Sequence, residues 1–100
     1  IRDKAACLLC GSTTLLDVHE ILSKSKFATK DIERCISPRN MVLLCRKHHN
    51  IVQGNPRISG YLLRGFRDLY DYNYDDEPFK WYVENEFPTE EDWEDLWTAI

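Results

Sequence analysis

Two pairs of side chains that bind transition metals stand out in the chain, Cys7-x-x-Cys10 and Cys45-x-x-His48. Thiolate sulfur and imidazole nitrogen are the usual donors to zinc, and two short-spaced pairs separated by a loop make a tetrahedral structural site. A two-residue gap lets both sulfurs of a pair face one ion. Gly11, directly after Cys10, permits the tight turn this requires. A redox Cys-x-x-Cys needs a βαβ pattern around it, and none follows. Paired disulfides belong to oxidising compartments, and no basic, apolar, then small-residue leader opens the chain. Cys35 is left over and reads as a small buried residue or an idle thiol. Cys45 and His49 also lie one helical turn apart, so spacing alone leaves His49 open as an alternative to His48.

Between the pairs lie Asp17, His19, Glu20 and Asn40, and directly after the second pair comes His49. Two imidazoles with carboxylates nearby suit a divalent metal. Such a metal stabilises charge on a phosphate oxygen and on a leaving group. Lys24, Lys26, Lys30, Arg39, Arg46 and Lys47 are positioned in sequence to hold a phosphate backbone.

The elements that must bring these groups together read strand, loop, strand, helix. Residues 13–22 read as a strand, 23–39 as a polar irregular loop or poorly formed hairpin arm, and 40–44 as a second strand. A helix follows over 46–53 and stops at Gly54. Asn55-Pro56 is a cap followed by a first turn, and Ile58, Tyr61, Leu62, Phe66, Leu69 and Tyr70 predict a helix to about residue 70. Residues 71–78 read as an acidic, tyrosine-rich loop. Phe79, Trp81 and Val83 alternate as in a short strand, and Pro88-Thr89 opens a last helix with Trp93, Leu96, Trp97 and Ile100 on one stripe.

One hundred residues make one domain with room for an appendage, and 43% hydrophobic with 30% charged residues is globular composition. Apolar runs fall short of the roughly 18 residues of a membrane helix, so no membrane role is expected. A start at Ile1 rather than Met fits a fragment. The net charge of −4 conceals an asymmetry. Residues 1–70 carry 12 Lys and Arg against 6 Asp and Glu, while residues 71–100 carry one Lys against 11 acids. A basic body suits a polyanion, and the acidic end does not. The final helix has three readings: packing back on the body, docking on a partner protein through its tryptophans, or covering the basic face as DNA would.

At this point the sequence resembles a family. Cys7-x-x-Cys10, Asp17-Val18-His19-Glu20-Ile21, Asn40 and Leu44-Cys45-Arg46-Lys47-His48-His49-Asn50 look like the zinc-containing branch of the HNH endonucleases, over about residues 5–53. The resemblance implies a zinc-stabilised ββα-metal core over residues 1–54. Residues 55–100 match no family and read from their own pattern as an acidic helical extension packed on the core or on a partner, which makes the chain α+β. The resemblance also implies DNA as substrate, nicked or cut with Mg²⁺ or Mn²⁺, in the cytoplasm of a bacterial or phage-infected cell rather than outside it. It assigns zinc to Cys7, Cys10, Cys45 and His48, the loop-pinning role to Asn40, and the catalytic ion to His19 and His49, with Asp17 as a further candidate ligand.

The first strand departs from the pattern, because Glu20 stands where the family has a general-base histidine. Free Glu has a pKa near 4.3 and free His about 6.5, so Glu20 is the weaker base. Three readings follow: Glu20 orients the attacking water; His19 is the base and Asp17 the ligand; or the module binds DNA or a protein without cutting. In a regular strand residues 17 and 19 share a face and residues 19 and 20 do not.

Overall fold

The computed structural model describes residues 5–99, so Ile100 of the predicted last stripe lies outside the described residues. Among the described residues the architecture is α+β: a two-stranded antiparallel sheet and five α-helices. Strand β1 (Leu16–Glu20) pairs with β2 (Met41–Cys45), Leu16 opposite Cys45 and Glu20 opposite Met41. Leu15 enters β1 with φ of 51°, which ends the strand there rather than at residue 13.

The stretch 23–39 is not a hairpin arm. It folds into two 3₁₀ turns (Lys24–Lys26 and Thr29–Asp31), the single-turn helix α1 (Ile32–Cys35), and a third 3₁₀ turn (Pro38–Asn40). Local bonds such as Lys26 N–H to Ser23 O and Asn40 N–H to Ser37 O satisfy a backbone that has no strand to pair with. Asn40 therefore ends a turn and does not begin β2.

Helix α2 (Arg46–Val52) starts where β2 ends, and Gly54, at φ of 76°, lies just beyond it. Helix α3 (Pro56–Tyr70) begins at the expected cap, with Asn55 Oδ1 accepting from the Arg57 and Ile58 N–H groups. Its buried face is Ile58, Ser59, Leu62, Leu63 and Phe66, while Leu69, placed on the stripe by sequence, stands in solvent. Side-chain spacing alone cannot mark where a helix outruns its partner.

Phe79, Trp81 and Val83 do not form a strand. They lie in α4 (Phe79–Asn85), where Phe79 is buried and Trp81 faces water. The apparent period of two was not a burial pattern; Phe79, Tyr82 and Val83 face the core at helical spacing instead. Helix α4 lies so close to α3 that a Cβ at Gly60 would come within 2.7 Å of the Tyr82 carbonyl oxygen. Arg64 also closes the end of α4, donating to the Val83 and Glu86 carbonyls at 3.1 and 2.7 Å.

Helix α5 (Glu90–Thr98) opens on a capping box between Thr89 and Asp92. It packs on the body through Leu96, which is buried, and through Trp93, whose ring meets Tyr61 edge-on at 4.8 Å. Trp97, expected on the same stripe, is 69% exposed. Buried Asp92 accepts from Arg57 Nε at 2.7 Å and from Asn55 Nδ2 at 2.9 Å, tying α5 to the start of α3. A single apolar cluster runs from Cys7 through Ile21, Leu44 and Phe66 to Leu96. No described helix is long and apolar enough to cross a membrane.

Arg57 first, then Thr89 and Asn55, hold the Asp92 carboxyl well below the usual range against its burial. A depressed carboxyl pKa adds stability that is present above the unfolded value near 3.9 and is lost as pH falls below it. Asp92→Ala is expected to cost about 2 kcal/mol, roughly 10 °C in Tm, because cap and ion pair go together. Thermal melts at neutral pH and near pH 3 check both points: the gap between wild type and variant narrows in acid.

Candidate metal centre and groove

The zinc-type donors converge. Cys7, Cys10, Cys45 and His48 place one ligand atom each within 4.8 Å of the others. Cys10 Sγ lies 3.7 Å from Cys45 Sγ, and His48 Nδ1 lies 3.3 Å from Cys45 Sγ and 3.8 Å from Cys7 Sγ. With metal–sulfur bonds of about 2.3 Å, a tetrahedron has edges of about 3.8 Å, so these separations fit one four-coordinate ion such as zinc.

Local structure builds the cluster. The knuckle of Cys7 and Cys10 closes with Gly11 N–H to Cys7 O at 2.8 Å, Gly11 taking φ of 78°. It is fastened to β2 by Leu8 N–H to Leu43 O at 3.0 Å. Cys45 ends β2 and His48 sits one turn into α2. Burial raises the thiol pKa of Cys7 and Cys45, and N–H donors overcome it, so both lie below the ordinary value. The Ser12 backbone lowers the Cys10 pKa, but burial and the neighbouring Cys7 and Cys45 sulfurs outweigh it, so Cys10 is shifted up.

His48 is buried and its Nε2 faces the Leu96 carbonyl at 3.3 Å. A ligating imidazole ordinarily gives its second nitrogen to such an acceptor, which fixes the ring. The acceptor comes from α5, a contact that sequence reading missed, since a backbone carbonyl leaves no mark in side-chain spacing.

One residue on from His48, about 100° around the helix, His49 turns toward the sheet. Its Nδ1 lies 3.1 Å from Asp17 Oδ2, and its ring centroid 5.1 Å from that of His19. Asp17 also faces Arg46, 3.3 Å from Oδ1 to Nη2. Arg46 first, and His49 next, lower the Asp17 carboxyl pKa. His19 is buried, and its Nε2 has no hydrogen-bond partner. Burial first, then the neighbouring His49, drop the His19 pKa to about 4, so the ring is neutral at neutral pH. A buried imidazole nitrogen left unpaired is costly unless something else occupies it.

Glu20 takes a different direction. Its Oε2 accepts from the Cys35 thiol at 2.9 Å. Cys35 is fully buried, and burial first, then Glu20, push its pKa up to about 12, so it is a neutral thiol donor rather than an idle group. Glu20 nevertheless lines the same groove of about 530 Å³ as His19 and His49. The far wall comes from residues that sequence reading left outside the site: Gln53, Asn55, Ser59 and Tyr82. The spacing of Asn55, the cap of α3, and Ser59, four residues on in its first turn, was the available signal.

Asn40 pins the chain crossing between the strands. Its Oδ1 accepts from Leu22 N–H at 2.8 Å, and its Nδ2 donates to the carbonyls of Leu22 and Cys35 at 3.0 and 2.8 Å. With Asn40 fully buried, Asn40→Ala leaves these groups unpaired and is expected to cost about 3 kcal/mol, read as a shift in urea midpoint at constant slope.

Among the expected phosphate contacts, Lys24, Lys26, Lys30, Arg46 and Lys47 are exposed, and Lys26 lies at the groove. Arg39 is engaged within the chain: its guanidinium donates to both oxygens of Asp76 at 2.7 Å and lies 4.3 Å from the Phe79 ring centroid. It braces the 71–78 segment against the core. No protein-family profile, no curated protein and no solved structure matches this chain.

Proposed function

We propose that the protein is a metal-dependent endonuclease of the HNH type, hydrolysing DNA phosphodiester bonds at the groove between β1, α2 and α3. The observation that carries this reading is the buried, partnerless Nε2 of His19 beside His49, at a groove bordered by exposed lysine. The order strand, crossing pinned by Asn40, strand, helix, with zinc-type ligands at both ends, supports a ββα-metal core.

In this reading zinc holds the scaffold, and His19 and His49 hold one Mg²⁺ or Mn²⁺ ion. That ion, when bound, supplies charge stabilisation at the scissile phosphate and the leaving oxygen. The chain's own residues do the rest. Lys26, with Lys24, Lys30 and Lys47 as outlying positive charges, attracts the backbone. Glu20 orients the attacking water through the oxygen not engaged by Cys35. His19 loses its advantage as a base, because a histidine near pKa 4 is no more basic than an ordinary glutamate near 4.3. Cys35 on Glu20 also favours a second reading, a zinc-stabilised module that binds DNA or a protein without cutting.

Incubation of supercoiled plasmid with the zinc-loaded chain tests the assignment. Nicking with Mg²⁺ or Mn²⁺, abolished by EDTA, is expected; DNA binding without nicking under either metal favours the second reading.

A further inference from the structure

Beside the groove, both oxygens of Asp17 face nitrogen donors, Arg46 Nη2 at 3.3 Å from Oδ1 and His49 Nδ1 at 3.1 Å from Oδ2. We infer that Asp17 is a positioning residue, fixing the His49 ring through Nδ1 so that Nε2 is the nitrogen offered to the divalent ion. The consequence for the ion rests on the endonuclease reading; the assignment of the ring does not.

The argument is one of donors and acceptors. A carboxylate held between an arginine and a histidine is ionised, and an ionised carboxylate only accepts. The ring nitrogen facing it therefore carries the proton, and in the neutral ring Nε2 keeps the lone pair. Arg46 and His49 stand three residues apart on α2, so one helix face presents both donors to β1. Arg46 Nε lies 3.4 Å from Oδ2, the oxygen that also faces His49, so the guanidinium reaches both carboxylate oxygens. Asp17 and His19 share a strand face, so β1 supplies both the partnerless imidazole and the group that orients its neighbour. With both oxygens engaged, Asp17 acts behind His49 and not on the ion. Arg46 then belongs to the same chain of contacts before it belongs to DNA.

Carboxylates behind ligating histidines fix the tautomer and raise ligand basicity, and their loss typically costs 10–100-fold in metal affinity. The test reads the ring directly, in long-range ¹H–¹⁵N spectra of the zinc-loaded chain without added Mg²⁺ or Mn²⁺. His49 is expected as the Nδ1–H tautomer in wild type and in Asp17→Asn, which keeps an acceptor oxygen. In Asp17→Ala it is expected to revert to Nε2–H, the preference of an unconstrained histidine side chain. Calorimetric Mn²⁺ titration of the same proteins is expected to show roughly 10–100-fold weaker binding in Asp17→Ala and a few-fold change in Asp17→Asn. An Nε2–H ring in wild type overturns the inference. So does unchanged Mn²⁺ affinity in Asp17→Ala, and so does equal loss in both variants with the tautomer kept, which marks Asp17 as a direct ligand. A wild-type chain that shows the Nδ1–H ring and binds no Mn²⁺ upholds the ring assignment and refutes the endonuclease reading instead.

Discussion

Cys45→Ser is expected to remove the bound metal and abolish the cooperative unfolding transition. Cys45 lies at the junction of β2 and α2, and its sulfur faces both Cys10 Sγ and His48 Nδ1. Structural zinc contributes on the order of 10–16 kcal/mol in small zinc domains, while a whole domain is stable by only about 5–15 kcal/mol. Without the ion, three polar donors crowd together in and beside the core with nothing to hold them. The rest of the core is modest for the chain's length, as small domains bury proportionately less surface. Elemental analysis is expected to give about one zinc per wild-type chain and a large loss in Cys45→Ser, with EDTA lowering the wild-type Tm. Cys35→Ala is the control: that thiol lies outside the cluster, so metal content should hold and the cost stay near 1–2 kcal/mol. A Cys45→Ser protein that keeps its metal and its melting point would sink the assignment.

The same residues show why part of this was legible in the sequence. Zinc ligands advertise themselves because each must be a Cys or His and because a knuckle fixes their spacing. The cap at Asn55 was equally plain, since a side-chain oxygen before a helix has a local task, and Pro88-Thr89 marked where the last helix opens. What escaped depends on distant partners. Whether Phe79, Trp81 and Val83 form a strand is decided by whether a neighbouring strand is available, and the two-stranded sheet offers them none. Arg39 reads as a free cation until Asp76 and Phe79 fold against it, 37 and 40 residues further along the chain. Cys35 reads as a small buried residue or an idle thiol; it is buried, and its bond to Glu20 shows only once α1 brings the two together.

The acidic end shows the limit from the other side. Of the three readings of the final helix, packing back on the body agrees with the buried Leu96, but its charge gave no hint that the Leu96 carbonyl faces the second nitrogen of His48. The residues that decide the packing are an apolar side chain and a backbone oxygen, and the acids record only the solvated face. Asp92 is the exception: it is buried, and Arg57 is what makes that tolerable. The helix thus supports the ligand cluster, so metal binding and the docking of α5 are expected to rise and fall together.

His49→Ala is expected to reduce plasmid nicking by at least about 10³-fold while leaving zinc content and fold intact. The ring lies outside the Cys₃His cluster and is only part-buried, so its removal leaves neither an unpaired thiolate nor a large cavity. If it holds the divalent ion, its loss removes several kcal/mol of transition-state charge stabilisation, and every 1.36 kcal/mol is tenfold in rate. His19→Ala is expected to match it. The two are expected to be non-additive in combination, because either alone disables the same ion. Glu20→Gln separates the roles. It keeps an acceptor for Cys35 but cannot take a proton from water, so a fall of about 10²–10⁴-fold with Mn²⁺ binding unchanged marks the water-orienting group. If Glu20→Gln nicks at the wild-type rate while His19→Ala does not, the base is not Glu20. Nicking that survives in His49→Ala removes the groove from the chemistry altogether, because no other described residue brings a second imidazole to His19.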